Sequence, residues 1–182
     1  MATVPVTQTF TAKEKVTAAK LNAATKTPLD FLLNPPRVNA FSSAATSVAS
    51  STSASTLIAL ESESWDTDSM HSTTTNTSRI YINTTGQYLV SFYARFPSNA
   101  TGYRLLNLRS NSGGSSSEGT TISTISVAAV NGDVTFVSRT FELALTAGDY
   151  YELFAQQNSG TALTLQNGQR VTGMEFRWLG IS

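Results

Sequence analysis

The stretch Tyr88-Leu89-Val90-Ser91-Phe92-Tyr93-Ala94-Arg95-Phe96 constrains this chain more than any other. In an extended backbone it places Tyr88, Val90, Phe92, Ala94 and Phe96 on one face, because successive side chains of a strand point in opposite directions. A strand with one wholly apolar face must be covered by a second layer, so the chain around it is expected to be layered and rich in sheet. The same period continues in Val137, Arg139, Phe141, Leu143 and Leu145. After the turn Ala147-Gly148-Asp149 comes Tyr150-Tyr151-Glu152-Leu153-Phe154-Ala155, and the closing segment 174–181 sets Met174, Phe176 and Trp178 against Glu175 and Arg177. Asn131-Gly132 lies between the apolar runs 125–130 and 134–137, which predicts a tight hairpin with a type I′ turn. Asn167-Gly168 is a candidate for another. Many short strands with almost no helical period between them predict an antiparallel sandwich or jelly roll from Leu57 to the end.

Composition agrees. Charged residues make up 13% of the chain, about half of the roughly 25% usual in soluble proteins, and Ser and Thr supply the polar surface instead. With no cysteine, neither a disulfide framework nor a thiolate metal site is possible. The N-terminus lacks a signal-peptide pattern and no stretch is long and apolar enough for a membrane span, so the protein is expected to be made in a cytoplasm and to stay off membranes. The formal net charge of zero argues against a nucleic-acid binder that relies on a broad basic surface. Asn76-Thr77-Ser78, Asn83-Thr84-Thr85 and Asn99-Ala100-Thr101 match the N-glycosylation pattern but read as by-products of Ser/Thr richness.

Charge divides the chain. Every lysine (Lys13, Lys15, Lys20 and Lys26) precedes Arg37, while arginine is the only cation afterwards. Residues 1–37 therefore read as a separate basic arm. Thr17 is placed to cap a helix through Ala18–Ala24, Thr27-Pro28 is a second helix start, and Pro35-Pro36 stops it. Val16, Leu21, Leu29, Phe31, Leu32 and Leu33 are too few to enclose a core in so short a segment, and are expected to pack on a neighbouring subunit or another protein. The alternative is packing back onto the chain's own domain. Residues 38–56, dominated by Ser, Ala and Thr, read as a linker or edge strand.

Little here points to catalysis. His71 is the only histidine, no nucleophile-elbow pattern occurs, and an ordinary loop or interface role is expected for it. Glu61, Glu63, Asp66 and Asp68 form the densest acidic cluster, but their spacing is not that of an EF-hand loop, and no metal or other cofactor is expected. Trp65, Tyr81, Tyr93, Tyr103, Tyr150, Tyr151 and Trp178 could stack on sugar rings, although core or interface packing explains such residues better.

The segment Trp65-Asp66-Thr67-Asp68-Ser69-Met70-His71, then Ser78-Arg79-Ile80-Tyr81-Ile82, Gly86-Gln87-Tyr88-Leu89-Val90-Ser91, Leu145-Thr146-Ala147-Gly148-Asp149-Tyr150 and Phe176-Arg177-Trp178-Leu179-Gly180 resembles the C1q/TNF-like jelly roll over residues 57–182. The resemblance implies a homotrimer packed about an axis, with Tyr88, Phe92, Tyr151, Phe176 and Trp178 in the trimer interface or core. Phe10-Thr11-Ala12, Val16-Thr17-Ala18-Ala19-Lys20-Leu21-Asn22 and Phe31-Leu32-Leu33-Asn34-Pro35-Pro36 are similar to the opening of small structural proteins of tailed bacteriophages, although Lys13-Glu14-Lys15 departs from the usual turn. Together these resemblances imply a non-enzymatic virion protein, assembled in the bacterial cytoplasm and displayed on the virion surface. It would serve as a capsid decoration or head fibre, with Lys13, Lys15, Lys20, Leu21, Phe31, Leu32 and Leu33 docking a major capsid or tail protein. The alternative is a tail-fibre or receptor-binding tip that recognises host-surface glycan; a glycan-cleaving depolymerase stands third.

Overall fold

The computed structural model describes residues 2–181. Two helices, α1 (Ala18–Ala24) and α2 (Lys26–Leu33), precede strands β1 (Arg37–Phe41), β2 (Thr46–Val48), β3 (Thr56–Leu57), β4 (Ser62–Asp66), β5 (Arg79–Tyr81) and β6 (Gly86–Phe96). β7 (Tyr103–Ser110), β8 (Thr120–Ala128), β9 (Thr135–Leu145), β10 (Tyr150–Gln157), β11 (Leu163–Leu165) and β12 (Gly173–Gly180) follow. One five-stranded sheet has the order β4-β1-β12-β6-β9; the facing sheet runs β3-β10-β7-β8, with β5 also paired to β10, and β11 pairs β2 at one side. All these ladders are antiparallel. The chain repeatedly crosses between the two sheets, which makes the fold a jelly roll.

The alternation in β6 has its expected consequence: Tyr88, Val90, Phe92, Ala94 and Phe96 are fully buried. They meet Leu106 and Leu108 of β7, Leu153 of β10, and Met174 and Phe176 of β12 in one continuous core. Each large side chain so buried contributes about 1.5–3 kcal/mol. β10 is buried on both faces from Tyr151 onward, because loops cover its outer side as the core covers its inner side.

Two sequence expectations are corrected. Asn131-Gly132 is not a two-residue hairpin: β8 and β9 lie on the edges of different sheets, and the residues between them carry the chain across the sandwich. Asn167-Gly168 likewise joins β11 and β12, which do not pair with one another. An Asn-Gly pair favours a sharp bend, but which strands flank the bend in space is set by long-range pairing. The sandwich also begins before residue 57. β1 is an internal strand between β4 and β12, with Val38 and Ala40 fully buried, and Val48 of β2 joins the same core.

Candidate functional site: the N-terminal arm and its seat

The arm is built as its residues dictate. The Thr17 side chain accepts a hydrogen bond from the Lys20 amide at 3.2 Å, capping α1. The Thr25 amide closes that helix on the Leu21 carbonyl at 3.0 Å, and Pro28 sits in the first turn of α2, where a missing N–H costs nothing. Ion pairs Lys20–Glu14 and Lys26–Asp30 brace the segment. The hydrogen bond from Lys20, helped by Thr11, holds the Glu14 carboxyl well below the usual carboxylate range.

Several contacts seat the arm on its own domain. Phe31 is buried and meets Trp178 edge-to-face, with centroids 4.9 Å apart and planes at 89°. The Trp178 amide donates to the Pro36 carbonyl at 2.9 Å. Farther back, the Ala2 amide donates to Asp68, whose other carboxylate oxygen lies 2.8 Å from the Thr84 hydroxyl. Trp178 shares the inner face of β12 with Met174 and Phe176, so Phe31 of α2 packs at the end of that face. Gly86 makes room for this arrangement, since a Cβ there would stand 2.2 Å from Trp178 Nε1 and 2.4 Å from the Gly180 carbonyl.

Of the docking candidates, Phe31 is thus spent within the chain, while Leu21, Leu32 and Leu33 face solvent, Leu33 at 81% exposure. Val6, Phe10, Val16 and Leu29 are exposed with them. Pro5, Val6, Phe10, Leu21, Ala24 and Pro28 line an open cavity of about 470 Å³. Lys20 lies beside it, 5.1 Å from the Phe10 ring centroid, and Lys13 and Lys15 make no ion pair among the described residues.

The packing candidates divide differently. Tyr88, Phe92, Tyr151 and Phe176 are core residues: the Tyr88 hydroxyl donates to the Thr84 carbonyl at 2.6 Å, and Tyr151 leans on Phe176 at 5.5 Å. Burial pushes the Tyr151 hydroxyl up to about 12, with Asp149 adding to the effect. The outer face of the β4-β1-β12-β6-β9 sheet instead carries Leu89, Phe136 and Leu179, with Phe136 and Leu179 about half exposed, around a buried Tyr93. Tyr93 lies 6.3 Å from Phe136 and accepts a hydrogen bond from the buried Asn39 at 3.1 Å.

The polar clusters are occupied by structural work. The His71 ring is buried, with Nδ1 3.0 Å from Glu63 and Nε2 3.1 Å from the Thr77 carbonyl, so neither nitrogen is left to activate a serine. Asp66 accepts from the Asp68 and His71 amides, and Glu61 accepts from those of Ser43 and Ala44. The aromatic residues are dispersed. Of the seven sugar-stacking candidates, Tyr81 and Tyr150 are the pair that meet each other, at 5.6 Å with planes inclined 50°, and Arg79 stacks on Tyr150 at 4.3 Å.

Glu152 escaped the sequence reading, although a lone carboxylate inside an apolar strand was the available signal. Fully buried, it accepts from Ser78 and Arg79 at 3.0 and 3.1 Å through one oxygen, and from Ser112 and the Gly114 amide at 2.6 and 2.8 Å through the other. Burial alone would raise its pKa, but hydrogen bonds led by Ser112 and Gly114 outweigh burial and hold it below the ordinary value.

No protein-family model matches this sequence, and no curated protein shows significant similarity to it. Solved structures do match. Murine APRIL superposes with a TM-score of 0.59 at 14% identity, covering 79% of this chain and 98% of that one. The TNF protein Eiger from S. frugiperda gives 0.58 at 14%, covering 81% and 92%, and the globular domain of the zebrafish complement 1qA protein gives 0.54 at 11%, covering 81% and 99%. The chain therefore has the C1q/TNF-like jelly-roll fold. At these identities the likeness defines architecture alone.

Proposed function

We propose that this chain is a trimeric, non-enzymatic structural protein of a tailed-phage particle, a capsid decoration protein or head fibre displayed on the virion surface and assembled in the bacterial cytoplasm. One observation carries the reading: Val6, Leu21, Leu32 and Leu33 stay open to solvent on an arm already tied to its own domain by Phe31 and Ala2. Apolar residues presented on so seated a segment fit docking to another protein, and Lys13 and Lys15, which have no ion pair among the described residues, favour an acidic rim on that partner. A major capsid or tail protein is the partner proposed. Non-enzymatic character is supported by the engagement of His71 and of the acidic cluster in loop bracing. Trimerisation is supported by the C1q/TNF-like architecture and by Leu89, Phe136 and Leu179 on the outer face of one sheet. The partly exposed Tyr81–Tyr150–Arg79 cluster favours a second reading, a tail or receptor-binding tip that contacts host glycan.

Light scattering on the full-length protein, together with mass spectrometry of purified particles from a producing host, tests the proposal. Trimers in solution and the chain in the particles are expected. A monomer at every concentration overturns the trimer, and absence from the particles overturns the virion assignment.

A further inference from the structure

The two Asn-Gly pairs share one intrinsic chemistry. Glycine has no side chain to obstruct its own amide nitrogen from attacking the carbonyl carbon of the preceding asparagine side chain. Their settings differ. At Asn167-Gly168 the Gly168 amide donates to the Ser42 carbonyl at 2.7 Å, and Asn167 Nδ2 donates to the Ser43 carbonyl at 2.6 Å. Nucleophile and leaving group are both held in place. At Asn131-Gly132 neither the asparagine side chain nor the glycine amide has a hydrogen-bond partner among the described residues, and Asn131, Gly132 and Asp133 are all exposed. Gly132 has φ of 81° and nothing within 4 Å of where a Cβ would stand, so the bend is free to rotate into a reactive geometry.

We propose that Asn131 is a site of spontaneous covalent modification in the native protein, while Asn167 is protected by the fold. The Gly132 nitrogen bonds to Asn131 Cγ, the bond from Cγ to the side-chain nitrogen breaks, and that nitrogen leaves as ammonia carrying the amide proton. Water then opens the cyclic imide at either carbonyl, giving aspartate or isoaspartate; no electrons are transferred and water is the only co-reactant. The product adds a negative charge beside Asp133 on a chain of zero formal net charge. In the isoaspartate form it also lengthens the backbone where the chain passes between the edge strands β8 and β9.

The test incubates full-length protein in mildly alkaline buffer, native and in urea, and follows conversion by tryptic digestion and tandem mass spectrometry. Cleavage at Arg109, Arg139 and Arg170 separates peptide 110–139, carrying Asn131, from peptide 140–170, carrying Asn167. In the native protein Asn167 is expected to convert roughly tenfold to a hundredfold more slowly than Asn131, because two hydrogen bonds must open first. In urea the rates should converge. Equal rates in the native protein, or conversion of Asn131 only in urea, overturn the proposal. Asn131→Gln, which would need a larger ring, should remove the product at that position without lowering the melting temperature; an unchanged yield of acid in peptide 110–139 would also overturn it.

Discussion

Replacing Glu152 with glutamine changes almost no volume but inverts the polarity of one end of a buried acceptor. In the native protein two oxygens accept from four donors, Ser78, Arg79, Ser112 and Gly114. With the amide oxygen kept toward Ser78 and Arg79, the new NH2 group faces Ser112, whose hydroxyl can turn to accept, and the Gly114 amide, which cannot. One buried N–H is left without an acceptor, and Arg79 loses its counter-charge. Hydrogen bonds to charged groups are worth about 1.5–3 kcal/mol and an unsatisfied buried donor costs about 1–3, so Glu152→Gln should destabilise by roughly 2–4 kcal/mol. For a chain of this length that corresponds to a fall in Tm of roughly 5–15 °C. Urea unfolding followed by the fluorescence of Trp65 and Trp178 should show a lower midpoint with unchanged slope, and hydrogen exchange should accelerate at Gly113 and Gly114. The pH dependence supplies an independent check. Because the native Glu152 pKa is depressed, the unfolded chain binds this proton more tightly. The group's contribution is therefore complete above the ordinary carboxylate range and is lost as pH falls through the native value. The variant should lack that part of the acid sensitivity. A midpoint within error of the parent, or an identical acid profile, would refute the claim that the carboxylate pins the loop around Gly114.

Other perturbations separate the arm from the sandwich. Phe31→Ala should cost about 1–3 kcal/mol of arm docking, less than a central Phe→Ala because only one end of the core is uncovered; faster proteolysis of the arm with a red-shifted Trp178 emission is the readout. Gly86→Ala sets a methyl group against Trp178 Nε1 and the Gly180 carbonyl and should lower stability by about 1–3 kcal/mol in thermal unfolding. The double change Leu32→Asp and Leu33→Asp should leave stability within about 0.5 kcal/mol, since both side chains are exposed, while abolishing incorporation into particles.

The strands and helices of this protein were legible wherever one local period or cap decided them. The face of β6 formed by Tyr88, Val90 and Phe92, the shared face of Met174 and Phe176 on β12, and the Thr17 cap of α1 all follow from spacing alone, and with them an antiparallel sandwich or jelly roll; the C1q/TNF-like resemblance chose the jelly roll. Tertiary structure decided what spacing leaves degenerate. The segment Arg37–Phe41 is short and runs straight into a Ser/Ala/Thr-rich stretch, and it becomes an internal strand only because β4 and β12 lie on either side of it. Asn131-Gly132 announces a bend, but long-range pairing sends its two flanking strands to opposite sheets. Of Val16, Leu21, Leu29, Phe31, Leu32 and Leu33, Phe31 alone turns inward, because Trp178 is there as its partner. Glu152 reads as an anomaly along the chain and becomes a brace only where Ser78, Arg79, Ser112 and Gly114, remote from it in sequence, converge on it. Hydrophobic period is a local property and survives in one dimension, whereas the partner of a buried polar group depends on which distant segment the closed core brings alongside.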